Sequence, residues 1–202
     1  MSAQMHGLAG TPMDQHRLKK KASGFSLVEL VVSLAVAAIV LAIALPDLRA
    51  MLRQHELGAI VSDLHGAIEL TRAQAMARGG RVLLAPAGPG ADDWGRGWVV
   101  FVDTDGDLAP GAGDDIIARR GPVARGVTIS SVFTAQKAPY YIAYNSSGRS
   151  CSASSSVAAR WGTLSLFQGD RTRRIKINML GRARVCDPDK DGATCSGAEE
   201  AG

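Results

Sequence analysis

Residues 25–45 constrain this chain most: 21 consecutive residues carry a single charge, Glu29. As a helix rising about 1.5 Å per residue, the run spans about 31 Å, the thickness of a bilayer's hydrocarbon layer. It is too long for the apolar core of an ordinary cleaved secretory signal. Alanine, leucine and valine dominate it and glycine is absent, which favours helix. Ahead of it stand Arg17, Lys19, Lys20 and Lys21 against Asp14. Such a basic leader stays on the cytoplasmic side, so the chain beyond the run is expected on the other side of the membrane. The total of 202 residues then leaves room for one ordinary domain. A hydrophobic content of 46% supplies a core and argues against wholesale disorder.

A carboxylate in hydrocarbon is costly, so Glu29 needs a reason. It can snorkel to the near interface, lie buried as the neutral acid, or meet a specific partner. The residues around it, Gly24-Phe25-Ser26-Leu27-Val28-Glu29-Leu30 followed by the apolar run, resemble the class III leader motif of type IV pilins and pseudopilins. The resemblance implies that a prepilin peptidase cuts between Gly24 and Phe25 and methylates Phe25. It also implies that Glu29 pairs with the N-terminal ammonium of a neighbouring subunit, where two opposite charges compensate in low dielectric and fix register. The implied place is the bacterial inner membrane, single-pass, with the C-terminal domain in the periplasm, and then the assembled pilus or pseudopilus.

Pro46 follows the run and tends to loosen a helix. Leu57, Ile60, Val61, Leu64 and Ile68 then recur at the spacing of an amphipathic helix, ended near Arg78 by Gly79-Gly80. Short strands are expected at 81–86, 97–103, 115–119, 127–133, 140–144, 163–167 and 173–180, with 146–156 as loop. In the 173–180 segment, Ile175, Ile177 and Met179 alternate with Arg174, Lys176 and Asn178, giving one core face and one basic face. The segment Trp94-Gly95-Arg96-Gly97-Trp98-Val99-Val100-Phe101 is similar to a strand of the minor pilins and pseudopilins of the GspH/FimT family. Residues 175–186 resemble that family's C-terminal strand-turn-strand, and Gly181-Arg182-Ala183-Arg184 fits the G-R-x-R motif of its DNA-uptake-associated members. The implied fold is α+β: a long N-terminal helix packed on an antiparallel β-sheet. The chain then divides into a removable leader (1–24), a transmembrane assembly helix (25–45), its amphipathic continuation (46–78), a β-rich pilin domain (79–186) and an acidic tail (187–202).

Charge is unevenly placed. Residues 119–184 hold twelve basic residues against one acid, Asp170, while residues 85–118 hold seven acids against Arg96. A stretch near +11 by this count is an electrostatic footprint for a polyanion, unless it scatters over both faces of a sheet. Arg182 and Arg184, two apart, share a face if extended, and each guanidinium can fork onto phosphate oxygens. Arg174 and Lys176 lie just upstream, and Arg149 can come alongside from the polar loop. No aromatic residue stands beside Gly181, so base stacking is not evident and contacts with the backbone of double-stranded DNA are expected. The same arginines could instead pair with an acidic surface of a neighbouring pilin, or keep a sheet edge soluble.

Three cysteines, Cys151, Cys186 and Cys195, allow one disulfide, and spacing does not choose the pair. The segment Asp103-Thr104-Asp105-Gly106-Asp107 has its glycine at the fourth place and fails the EF-hand pattern, which leaves a hairpin turn. Asp187, Asp189 and Asp191 followed by Gly192 fit the first half of that pattern, making calcium the one cofactor candidate; a flexible acidic tail is the simpler reading. No nucleophile motif and no phosphate-binding lysine motif are present, so no enzyme is expected. The reading is therefore a minor pilin at or near a type IV pilus tip that binds DNA in natural transformation. The alternative is a minor pseudopilin of a type II secretion system.

Overall fold

The computed structural model describes residues 26–88, 90–134 and 138–197, except the side chains of 43–50 and 52–54. Helix α1 runs Leu27–Arg78, and the chain divides into two units at Pro46. Gly24 and Phe25 lie outside the described residues. In the first unit, every residue whose side chain is described (26–42) is exposed, including Glu29, Leu27, Val31, Ile39 and Leu41. Among the described residues, no helix is long and apolar enough to cross a membrane, and the described side chains of the apolar run stop at Ala42.

The second unit opens on the amphipathic part of α1. Leu57, Ile60, Val61, Leu64, Ile68 and Ala75 are buried, as the spacing predicts. Full burial of side chains such as Leu64 and Ile68 contributes about 1.5–3 kcal/mol each. Thr71 lies in the same stripe, and its hydroxyl donates back to the carbonyl of Ala67 at 2.7 Å, so the stripe holds no orphaned polar group there. The helix closes at Arg78: Gly80 N–H donates to Ala75 O and Gly79 N–H to Met76 O, capturing two end carbonyls.

Among the described residues, nine strands follow: β1 Val82–Pro86, β2 Trp98–Val102, β3 Asp115–Arg120, β4 Val127–Phe133, β5 Ile142–Tyr144, β6 Ser150–Cys151, β7 Gly162–Gln168, β8 Arg171–Ile177 and β9 Ala183–Cys186. They form two antiparallel sheets, ordered β3-β2-β1-β5-β6 and β4-β7-β8-β9. The sequence suggested one sheet; the chain leaves the first after Arg120 for β4, returns to it for β5 and β6, and enters the second again at Gly162. The apolar stripe of α1 shares one core with residues of both sheets, including Val82, Trp98, Ile142, Leu164, Leu166, Ile175 and Ile177. A second cluster, with Leu83, Val99, Phe101, Tyr141 and Cys151, fills the other side of the five-stranded sheet.

Three expectations need correction. The 173–180 strand ends at Ile177, and Met179 is exposed rather than in the core. The cause is Asn178, whose Oδ1 accepts from Leu180 N–H and Arg182 N–H, both at 3.0 Å, and turns the chain. The 146–156 loop contains β6, and the tail is folded: helix α2 (Pro188–Asp191) and a short 3₁₀ turn (Gly192–Cys195) follow β9.

Candidate functional site

The turn 178–181 joins β8 to β9. Gly181 has φ +81°, and a Cβ there would meet Gly148 O at 2.4 Å and Tyr144 Cε1 at 2.8 Å, so only glycine fits. Tyr144 donates its hydroxyl to Gly181 O at 3.0 Å, and Ser150 Oγ donates to Asn178 O at 3.1 Å. Burial first, and then the charge of Glu69, hold the Tyr144 phenol far above its ordinary range, so it stays a neutral donor. Arg72 of α1 donates to Gly148 O at 2.9 Å. Helix, 145–149 turn and 178–181 turn are thus linked, and the arginines that follow project from a fixed base.

Register places those arginines together. Lys176 pairs with Arg184 and Thr163; Arg174 pairs with Cys186 and Ser165. Since Ile175, Ile177, Leu164 and Leu166 point into the core, the alternate residues Thr163, Ser165, Arg174, Lys176 and Arg184 share the outer face of the four-stranded sheet. Asn178 N–H donates to Arg182 O at 3.2 Å, which extends the ladder and adds Arg182 to that face.

The tail returns across this face. A disulfide joins Cys186 to Cys195, with Cα atoms 5.8 Å apart. Arg184 Nη2 donates to Thr194 O at 2.6 Å, Arg174 Nη1 to Cys195 O at 2.7 Å, and Lys176 Nζ to Ser196 O at 2.8 Å. Arg174, expected on an open basic surface, is therefore only 8% exposed. Lys176 and Arg184 keep partial access. The exposed Arg182 guanidinium has no hydrogen bond or ion pair among the described residues. It lines an open groove of about 720 Å³ with Val132, Trp161, Lys176, Asn178 and Arg184. Arg149 lies elsewhere, in a separate hollow of about 380 Å³ beside Met179 and Leu180.

The footprint of twelve cations is smaller in three dimensions. Arg160 is 6% exposed and stacks over Tyr141, its guanidinium carbon 3.9 Å from the ring centroid. Arg120 pairs with Asp63 at 3.1 Å and Arg173 with Asp187 at 2.9 Å. Trp161, which the sequence reading passed over, is an exposed aromatic on the same face. Its only sequence sign is its place just before a strand, because the cross-sheet neighbours follow from register.

The acidic candidates are occupied by the chain itself. Asp187 Oδ1 accepts from Asp189 N–H and caps α2, its Oδ2 meets Arg173, and Asp191 Oδ2 accepts from Asp187 N–H. Asp189 is exposed. In the turn after β2, carboxylate oxygens of Asp103, Asp105 and Asp114 come within 4.8 Å of one another. There burial chiefly raises the Asp103 pKa, while the Thr104 N–H chiefly lowers that of Asp114. Cys151 is buried and unpaired, and burial raises its thiol pKa.

Residues 61–181 match the protein family described as type II transport protein GspH, and residues 19–45 match the prokaryotic N-terminal methylation motif. No curated protein matches the chain. Among solved structures, it is similar to the type IV minor pilin FimU of Pseudomonas aeruginosa, at 16% identity and TM-score 0.53, over 71% of this chain and 98% of that one. A second crystal form of FimU gives 14% and 0.51, over 69% and 99%. The minor pseudopilin EpsH of the Vibrio cholerae type 2 secretion system is 16% identical, with a TM-score of 0.48, over 67% and 99%. The FimU likeness shows a shared fold, a helix packed on antiparallel strands. With more than half of its length matched, the chain belongs to the GspH family of pilin-like proteins.

Proposed function

We propose that this protein is a minor pilin of a type IV pilus, held in the inner membrane and then incorporated at or near the tip. In this reading the peptidase cleaves after Gly24 and methylates Phe25, and Glu29 pairs with the N-terminus of a neighbouring pilin. The outer face of the four-stranded sheet binds the backbone of double-stranded DNA during uptake. Arg182 is the primary contact and Arg184 and Lys176 are support; Arg149 is a contact of the neighbouring hollow. Arg174 serves instead to hold the tail. The observation that carries the reading is the exposed Arg182 guanidinium, without a partner among the described residues, on a turn fixed by Gly181, Tyr144 and Asn178. The planar fork of an arginine suits a phosphate, and the contact needs no base sequence.

The test is a gel shift of duplex DNA by the full chain in detergent micelles, beside the Arg182→Ala/Arg184→Ala variant. Binding that the variant loses supports the reading, and no binding at low salt contradicts it. A second reading, a minor pseudopilin of a type II secretion system without DNA binding, is favoured by one observation. Lys176, Arg174 and Arg184 already donate to carbonyls of their own tail. Processing is tested separately: replacing Gly24 by a bulky residue is expected to leave the precursor uncut on a blot, and normal cleavage would sink the leader assignment.

A further inference from the structure

The outer face of the four-stranded sheet carries an aromatic residue, Trp161, in the same groove as the exposed Arg182. Trp161 is 42% exposed, whereas Trp94 and Trp98 are 1% and 2% exposed. Gly162 pairs with Ile177, so one residue further Trp161 stands opposite Asn178, which in turn bonds Arg182. Trp161, Asn178 and Arg182 therefore form a row one residue beyond the ends of β7, β8 and β9, and all three line the groove. Two strand spacings, about 10 Å, separate the backbones at its ends. Trp161 O also accepts from Thr134 N–H at 3.0 Å, which anchors the tryptophan backbone to the end of β4.

Among the described residues, the charged side chains that line the groove are Lys176, Arg182 and Arg184, and none is an acid. An apolar, aromatic floor beside a cationic wall suits an anion that carries a flat ring. We infer that this groove is a base-stacking subsite for single-stranded DNA, with an unpaired base on the Trp161 indole and the adjoining phosphate on Arg182. Paired bases inside a duplex cannot offer their faces to an indole, so an unpaired strand or frayed end is the required ligand. Stacking on an aromatic side chain tolerates any base, which matches the lack of a base-reading pocket. The inference rests on the DNA-binding reading above and adds the chemical form of the ligand.

The three tryptophans of the chain supply the readout, since two are buried and the third is the subsite. Full chain in detergent micelles is titrated with oligothymidylate, with an abasic oligomer of equal charge, and with a closed hairpin duplex. Oligothymidylate is expected to quench tryptophan emission and the abasic oligomer to leave it unchanged. Trp161→Leu is expected to weaken oligothymidylate about tenfold or more while leaving hairpin affinity in place, and Trp161→Phe to restore most of the loss. Equal oligothymidylate affinity for Trp161→Leu and the unmodified chain, or binding without quenching, overturns the subsite while the duplex reading stands on its gel shift. Failure of all three ligands to bind overturns both.

Discussion

The two sheets differ in how their strands face water. In the five-stranded sheet, β1 is buried at every position and β2 at four of five, because α1 covers one face and a second apolar cluster fills the other. In the four-stranded sheet, β8 alternates: Ile175 and Ile177 point to the core, and Arg174 and Lys176 point outward. A sheet covered on both faces spends its sequence on packing. A sheet covered on one face keeps a row of side chains for a partner, and here its own tail takes part of that row. Stability and binding are therefore expected to separate along the line between the sheets.

The largest effect that sharpens this contrast lies in the first sheet. Phe101→Ala is expected to cost about 3–5 kcal/mol of unfolding free energy, because Phe101 is fully buried. Chemical denaturation measures it, and a loss below about 1 kcal/mol would mean that the second cluster is not a packed core. Next is the strap across the other sheet. Cys186→Ser with Cys195→Ser is expected to cost about 2–4 kcal/mol. The same pair is expected to raise duplex affinity, since Lys176 and Arg184 lose their carbonyl partners in the tail; an unchanged Kd would show that the tail does not mask them.

Smaller is Gly181→Ala, expected at about 1–3 kcal/mol from a strained left-handed backbone and the displaced turn, together with weaker DNA binding. Retained affinity would detach the turn's geometry from the binding. Smallest is Lys176→Ala, expected to change thermal stability by within about 0.5 kcal/mol while lowering duplex affinity severalfold. A stability loss rivalling that of Phe101→Ala would erase the distinction between the sheets.

Much of the scaffold was legible from spacing. The stripe Leu57, Ile60, Val61, Leu64, Ile68 states a helix face, and Gly79-Gly80 states its end. The alternation of β8 announced both a core face and a basic one, and Gly181-Arg182-Ala183-Arg184 marked the turn. Which basic residues stay open was not legible. Arg160 reads like any surface arginine in sequence, yet it stacks on Tyr141 from a segment nineteen positions away. Arg174 sits in the alternation beside Lys176, but its burial depends on the Cys186–Cys195 pair, one of three pairings that composition permits. Asn178 ended the strand two residues before the apolar pattern did, because a side-chain carbonyl outcompeted the ladder. Trp161 was invisible as a site residue, since its proximity to Arg182 follows from register across three strands.

The most direct measurement is the slope of log Kd against log salt for duplex binding, taken for the full chain and for Arg182→Ala/Arg184→Ala. Each phosphate contact removed is expected to reduce the slope by about 0.9, so loss of both arginines reduces it by nearly 2. A slope and affinity unchanged by the double substitution would contradict the assignment of DNA binding to this face.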